Sequence, residues 1–159
     1  SSSWRILRVT SITDQIYIKA KRFRSIQELG TQKVSDSLEG EFVGILNYAV
    51  MALIQLNQEV KDLAIELTSN QVIELYSCEI KKISDLRSAK NTDYGEAWRE
   101  MRISSMTDLI LAKLLRIKQI ENNKGATLVS EGVVSGYQDI VNYALFCLIR
   151  ISEGENPMN

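Results

Sequence analysis

Lys113 and Arg116 stand three residues apart in a stretch of helical periodicity, so both cations leave one helix face. Two cations held side by side suit a polyphosphate. Lys19 and Arg22 repeat the pair at the same spacing near the start of the chain. Arg102 and Arg99, with Arg8 and Arg5, stand where helices are expected to start, and unpaired backbone N–H groups there also favour anions. Asp139 and Asn142 are three apart as well, with Glu131 upstream, so a carboxylate and an amide share a face of the last helix. Oxygen ligands of this kind suit Mg2+ that also touches substrate phosphates. Trp98 and Tyr94 are placed to stack on a base, as Trp4 is in the first half.

Each of these features has a plainer reading in packing alone. The basic pairs fit a solvated face ion-paired to Glu96, Glu100 or Asp108. Asn142 and Asn47 fit buried amides that bridge helices within a polar network. Trp4 and Trp98 fit core anchors. Asp14 and Asp108, each directly after a threonine, fit first-turn acids favoured by the helix dipole. Histidine is absent, which removes Ser-His and Cys-His nucleophile pairs, His-ligated zinc and His acid/base catalysis.

The elements that position these groups come from an internal duplication. WRILRVTSITDQIYIKAKR, from Trp4 to Arg22, returns as WREMRISSMTDLILAKLLR from Trp98 to Arg116, an offset of 94 residues. FVGILNYAVMALIQ, from Phe42, returns as YQDIVNYALFCLIR from Tyr137, an offset of 95. One residue was therefore gained in the loop between the blocks. The repeat is much longer than a solenoid unit and occurs twice, which indicates one domain over 1–159. Its first half is 1–58, a linking region covers 59–92, and the second half is 93–152. The halves differ at the acid: Gly44 stands at the position of Asp139, while Glu41 lies a turn earlier, where the second half has Gly136.

With 159 residues and 45% hydrophobic content, the chain can bury a core of its own. A net charge of −1 provides no global field toward nucleic acid or anionic lipid, so direct nucleic-acid binding is not expected. Cys78 and Cys147 lie far apart in apolar helical patterns, which reads as two small hydrophobes in a reducing, cytoplasmic compartment. The apolar runs near 45–56 and 140–151 are interrupted by Asn-Tyr and fall short of the roughly 20 residues that span a bilayer.

Taken in order, the pattern predicts a helix from Ser11 to about Leu29, capped by Ser11 or Thr13 and stopped by Gly30. A loop over 31–38 follows, then a buried helix over about 38–56 that continues or restarts over 57–68. Ser69 or Asn70 caps a long amphipathic helix to about Lys90, and Asp93-Tyr94-Gly95 forms a turn. Ser105 caps a helix to about Asn123, a loop surrounds Gly132, and the last helix covers about 134–151. The helix before the Asp93-Tyr94-Gly95 turn implies a matching segment upstream of Ser1. No stretch shows strand alternation. The fold class is all-α, a helical bundle whose duplicated halves are related by a pseudo-twofold axis.

The residues Asp93-Tyr94-Gly95, Trp98, Thr107-Asp108, Lys113, Arg116 and Asp139-Ile140-Val141-Asn142-Tyr143-Ala144 resemble the nucleotide modification associated family of the first type, in a duplicated form. The resemblance covers nearly the whole chain. Family members carry a turn, a Lys-x-x-Arg pair and an acidic run into Asp-x-x-Asn-Tyr-Ala similar to these, although Val134 stands where a second acid is usual. The resemblance implies a link to nucleotide or base modification. The all-α nucleotide pyrophosphohydrolases, which present Glu and Asp to magnesium, are a looser likeness without their Glu-x-x-Glu pair here.

Two functions follow as expectations. In one, the chain binds a nucleotide and acts as a magnesium-dependent phosphohydrolase. Lys113, Arg116 and Arg102, with Lys19 and Arg22, hold phosphates, Asp139 and Glu131 hold Mg2+, and Trp98 or Tyr94 stacks on the base. Asn142, Asn47 and Asp108 form a supporting polar network. In the other, the chain is a non-catalytic helical scaffold or interaction module. Duplication makes a homodimer plausible in both, and the sequence leaves catalysis itself open.

Overall fold

The computed structural model describes residues 7–30, 35–57, 69–94, 97–123 and 129–159. Five helices account for nearly all of them: α1 (Val9–Leu29), α2 (Ser35–Asn57), α3 (Ser69–Tyr94), α4 (Ile103–Asn122) and α5 (Val129–Ser152). A 3-10 turn, Ala97–Glu100, precedes α4. There is no strand among the described residues. Trp4, Arg5 and Glu96 lie outside them, as do the side chains of Tyr94 and Glu131.

The duplication is visible in the local backbone. α1 and α4 begin at equivalent residues, Val9 and Ile103, after Arg8 at φ −66°, ψ 152° and Arg102 at φ −68°, ψ 149°. Neither helix has a side-chain cap, so the caps expected at Ser11, Thr13 and Ser105 are not formed. The reason is that these residues sit inside the first turns. Thr13 and Thr107 turn inward, and each hydroxyl bonds the carbonyl four residues back, Val9 at 3.0 Å and Ile103 at 3.2 Å. Gly30 ends α1 as expected, at φ 63°, with its N–H on the Ile26 carbonyl. At the other end of the chain the expected loop around Gly132 is helical, because α5 already starts at Val129.

The core repeats in register. Buried Ile12, Thr13, Ile16, Ala20 and Phe23 of α1 correspond to buried Met106, Thr107, Ile110, Leu114 and Ile117 of α4. Likewise Phe42, Ile45, Leu46 and Ala49 of α2 correspond to Tyr137, Ile140, Val141 and Ala144 of α5, all buried. Each full aliphatic burial contributes about 1.5–3 kcal/mol, so both halves feed one core of comparable strength. α2 packs on α5 and on α1, α4 packs on α5 and on α1, and α3 lies mainly against α2.

Two exposed ion pairs mark the relation between the halves. Lys118 reaches Asp14 at 2.9 Å and Arg24 reaches Asp108 at 3.6 Å. Arg24 is the repeat equivalent of Lys118, and Asp14 that of Asp108. Such reciprocal contacts, residue i to j' and i' to j, are those of an isologous packing, and they set α1 and α4 antiparallel. α4 and α5 are antiparallel too, since Lys113 faces Asp139 while Ile117 lies at Gly136 and Ile120 at Gly132.

Among the described residues, one helix segment, Gly132–Ser152, is long and apolar enough to cross a bilayer by length and composition, longer than the run expected from the sequence. Val133, Tyr137, Ile140, Val141, Ala144 and Cys147 of this segment are buried in the bundle, which accounts for its hydropathy.

Candidate functional site

Residues 139, 142, 143, 146 and 150 recur at i, i+3, i+4, i+7 and i+11, so they fall on one stripe of α5. Asp139 begins the stripe. Its carboxylate accepts from the Lys113 ammonium at 2.8 Å, and both side chains are partly exposed. The hydrogen bond to Asp139 raises the Lys113 pKa, working against burial. Arg116 is exposed one turn further along α4. Arg102, at the α4 N-cap, is 11 residues from Lys113 and so about 16 Å away along the axis. The cations expected to converge on phosphate therefore divide into Lys113 with Arg116 at mid-helix and Arg102 at the helix start.

The first half holds Lys19 and Arg22 differently. Both reach Glu41, at 3.4 and 3.9 Å. The Lys19 chain passes over Gly44, where an added Cβ would meet its Cε and Nζ at 3.8 Å. Each half thus supplies its lysine with one carboxylate from the facing helix, one turn apart.

Further along the stripe, Asn142 has a buried Oδ1 with no hydrogen-bond partner. Its repeat mate Asn47 accepts from the Tyr76 hydroxyl of α3 at 3.0 Å. Asp108, expected with these amides, instead faces Arg24 on the surface. The three residues do not form one network. Next comes Phe146, on which the Trp98 indole stacks at 4.4 Å with planes 5° apart. The Arg99 guanidinium lies over the indole at 4.5 Å and forms a two-pronged pair with Glu153 at 2.7 and 3.0 Å. Arg150 ends the stripe, with Nη2 of its guanidinium near Glu155 at 3.4 Å and Nη1 buried without a partner.

The family model for nucleotide modification associated domain 1 matches residues 1–56 and 90–151. The chain belongs to that family. The two matched segments contain α1 with α2 and α4 with α5, and most of α3 falls between them. Two matched segments are consistent with a duplication. No curated protein and no solved structure matches the chain.

In this family member, sequence reading named Lys113, Arg116, Asp139, Asn142 and Arg99 as candidates but missed Phe146 and Arg150. The signal was present: Phe146 and Arg150 continue the i+4 steps from Asn142, and an arginine closing an apolar run is conspicuous. It also missed a polar cluster at the α1–α4–α5 junction. The Thr13 hydroxyl meets Glu121 at 3.0 Å and also the Tyr137 hydroxyl. With one proton to give, Thr13 serves Val9 or Glu121 and accepts from Tyr137. Burial raises the Glu121 carboxyl above its ordinary range and holds the Tyr137 phenol well above its own. The repeat partners are Gln27 and Phe42, so the cluster exists on one side only.

Cys147 is buried, which pushes its thiol up to about 12, and both cysteines are free. No three His, Cys, Asp or Glu side chains gather into a metal site among the described residues. Asp139 is a single described carboxylate within reach of an ammonium. That donor set fits an ion carried mainly by phosphate and water, which takes one or two protein carboxylates.

Proposed function

We propose that the chain binds a nucleotide along the α4–α5 face of its second half. The observation that carries this reading is the half-exposed Lys113–Asp139 pair, 2.8 Å apart, with Arg116 one turn away on the same helix. A phosphate approaching Lys113 and Arg116 draws on two cations, and the Asp139 carboxylate supplies an oxygen ligand to a magnesium ion borne by that phosphate. The Trp98–Phe146 stack lies seven residues, about 10 Å, along the same stripe from Asp139. A nucleoside and its phosphate bridge such a span. Glu131 joins Asp139 as a second carboxylate in this reading, and Lys19 with Arg22 forms a weaker copy of the phosphate end. Membership of a family associated with nucleotide modification supports the same reading. Magnesium-dependent hydrolysis of a phosphoanhydride is its catalytic extension.

One observation favours a second reading. Lys113 with Asp139, and Lys19 with Glu41, satisfy each other without any ligand, as the charged surface of a helical scaffold would.

A thermal-shift series with mono-, di- and triphosphates, with and without Mg2+, separates the two. Binding at 100 times the dissociation constant stabilises the fold by about 2.7 kcal/mol. The nucleotide reading expects a stabilisation that grows with Mg2+, is lost in Lys113→Ala, and loses its Mg2+ increment in Asp139→Asn. No shift with any nucleotide leaves the scaffold.

A further inference from the structure

Three buried side-chain polar atoms without a hydrogen-bond partner occur among the described residues: Trp98 Nε1, Asn142 Oδ1 and Arg150 Nη1. All three belong to one stretch of α5 and to the indole stacked upon it. Asn142 and Arg150 lie one turn either side of Phe146, and Trp98 covers Phe146 face to face at 4.4 Å. Buried polar atoms are ordinarily paired, and unpaired ones gathered on one stripe call for a physical cause.

The first half provides the control. Its equivalent stripe is Asn47, Met51 and Gln55. There Asn47 accepts from the Tyr76 hydroxyl at 3.0 Å, and the Gln55 amide donates to the Leu7 carbonyl at 3.1 Å. The same positions are satisfied by the chain where no aromatic stands between them. In the second half the middle residue is Phe146, and the Asn142 oxygen and one nitrogen of the Arg150 guanidinium, Nη1, are left over.

An indole explains the stack but not its surroundings. It provides a flat ring for Phe146 and a single N–H, which here finds no acceptor. It provides no acceptor to Arg150, and its N–H does not reach Asn142. A nucleobase with an exocyclic amine has the same flat ring, an N–H donor for the Asn142 oxygen, and ring or carbonyl acceptors for the Arg150 guanidinium. We propose that the stripe Asn142–Phe146–Arg150 is a seat for an amino-bearing nucleobase, and that Trp98 fills this seat from within the chain.

The arrangement also shows how the seat opens. Trp98 sits on a four-residue 3-10 turn, held to the end of α5 through the exposed Arg99–Glu153 pair. Exposed pairs of this kind hold weakly. When the turn swings away, the base stacks on Phe146 in place of the indole. Trp98 is then a competitor of the base rather than its platform. This inference rests on the nucleotide-binding reading and assigns its base end.

Isothermal titration of the full chain with cytidine monophosphate and uridine monophosphate tests it. The two differ where cytosine has an amine and uracil a carbonyl. The wild-type chain is expected to prefer the cytidine nucleotide, and Trp98→Ala to bind it roughly two- to tenfold tighter, the equivalent of one aromatic stack no longer competing. Asn142→Leu is expected to bring the two affinities to parity. Equal wild-type affinities, or a preference that survives Asn142→Leu, overturn the assignment of Asn142. Weaker binding by a folded Trp98→Ala chain means that the base stacks on Trp98 itself, which overturns the inference and leaves the nucleotide reading standing. If Trp98→Ala does not fold, Glu153→Gln decides, because it loosens the turn without touching the stack: tighter binding supports the seat and unchanged binding overturns it. No binding of either nucleotide by any of the chains overturns the seat, while the nucleotide reading falls only if the thermal-shift series is silent as well.

Discussion

The two halves hold one lysine in two ways. Lys19 of α1 reaches back to Glu41 at 3.4 Å across Gly44, while Lys113 of α4 meets Asp139 directly at 2.8 Å. Duplication kept the cation and its need for a carboxylate, but not the turn from which the carboxylate comes. Glutamate is one methylene longer than aspartate, so an acid placed a turn away still closes the pair. Moving the acid leaves a glycine behind in each half, and those glycines are not equivalent. Gly44 lies under a flexible lysine chain, whereas Gly136 lies against Ile117, where an added Cβ would stand 3.0 Å from two side-chain atoms. Electrostatics is thus interchangeable between the halves, and packing is not.

The shared core is where likeness between the halves is most easily broken. Ile16→Ala and Ile110→Ala remove equivalent, fully buried side chains and are expected to cost about 2–5 kcal/mol each, read from urea unfolding. A loss several kcal/mol larger on one side would show that the halves do not share one core evenly. The glycines sharpen the difference. Gly44→Ala is expected to gain up to about 1 kcal/mol from helix propensity. In Gly136→Ala that gain is outweighed by overpacking of about 1–3 kcal/mol against Ile117, itself 1% exposed. Opposite signs in paired thermal melts confirm this, and equal signs refute it.

The smallest effect comes from Glu121, whose repeat mate is Gln27. Burial holds the Glu121 carboxyl above its ordinary range, so the folded chain keeps a proton that the unfolded chain has released. Stability from this group therefore falls as pH rises from the ordinary carboxylate value, about 4.3, to the raised one, and the deficit is complete above it. Glu121→Gln keeps an acceptor for Thr13 and removes the charge. It is expected to raise the unfolding midpoint at about pH 7 and to leave it unchanged at about pH 3.5, below the ordinary value. A gain that persists at the lower pH would point to a cause other than ionisation.

Much of this was legible in the sequence because duplication writes the core twice. Apolar residues matching at a fixed offset identify the buried face of α1 and α4 without a structure, and Gly30 is a stop readable from its type. The caps were misread because a threonine hydroxyl has two local partners, the turn ahead and the carbonyl behind, and only burial of Thr13 and Thr107 selects the second. The start of α5 was placed too late because Gly132 counts as a breaker in isolation. Packed against Ile120, where an added Cβ would meet Cδ1 at 3.1 Å, it is instead the residue that lets two helices approach.

From the sequence alone came the all-α class, the two halves, the family likeness, and the lysine, aspartate and asparagine positions of the candidate site. These depend on residue type and spacing along one chain. Only the tertiary structure decided that Lys113 takes Asp139 as its partner, that Asn47 has the Tyr76 hydroxyl while Asn142 has none, and that Trp98 lies on Phe146. The physical reason is that hydrogen bonds, ion pairs and ring stacks form between groups distant in sequence. Their partners are fixed by how helices pack and not by the pattern on any one of them.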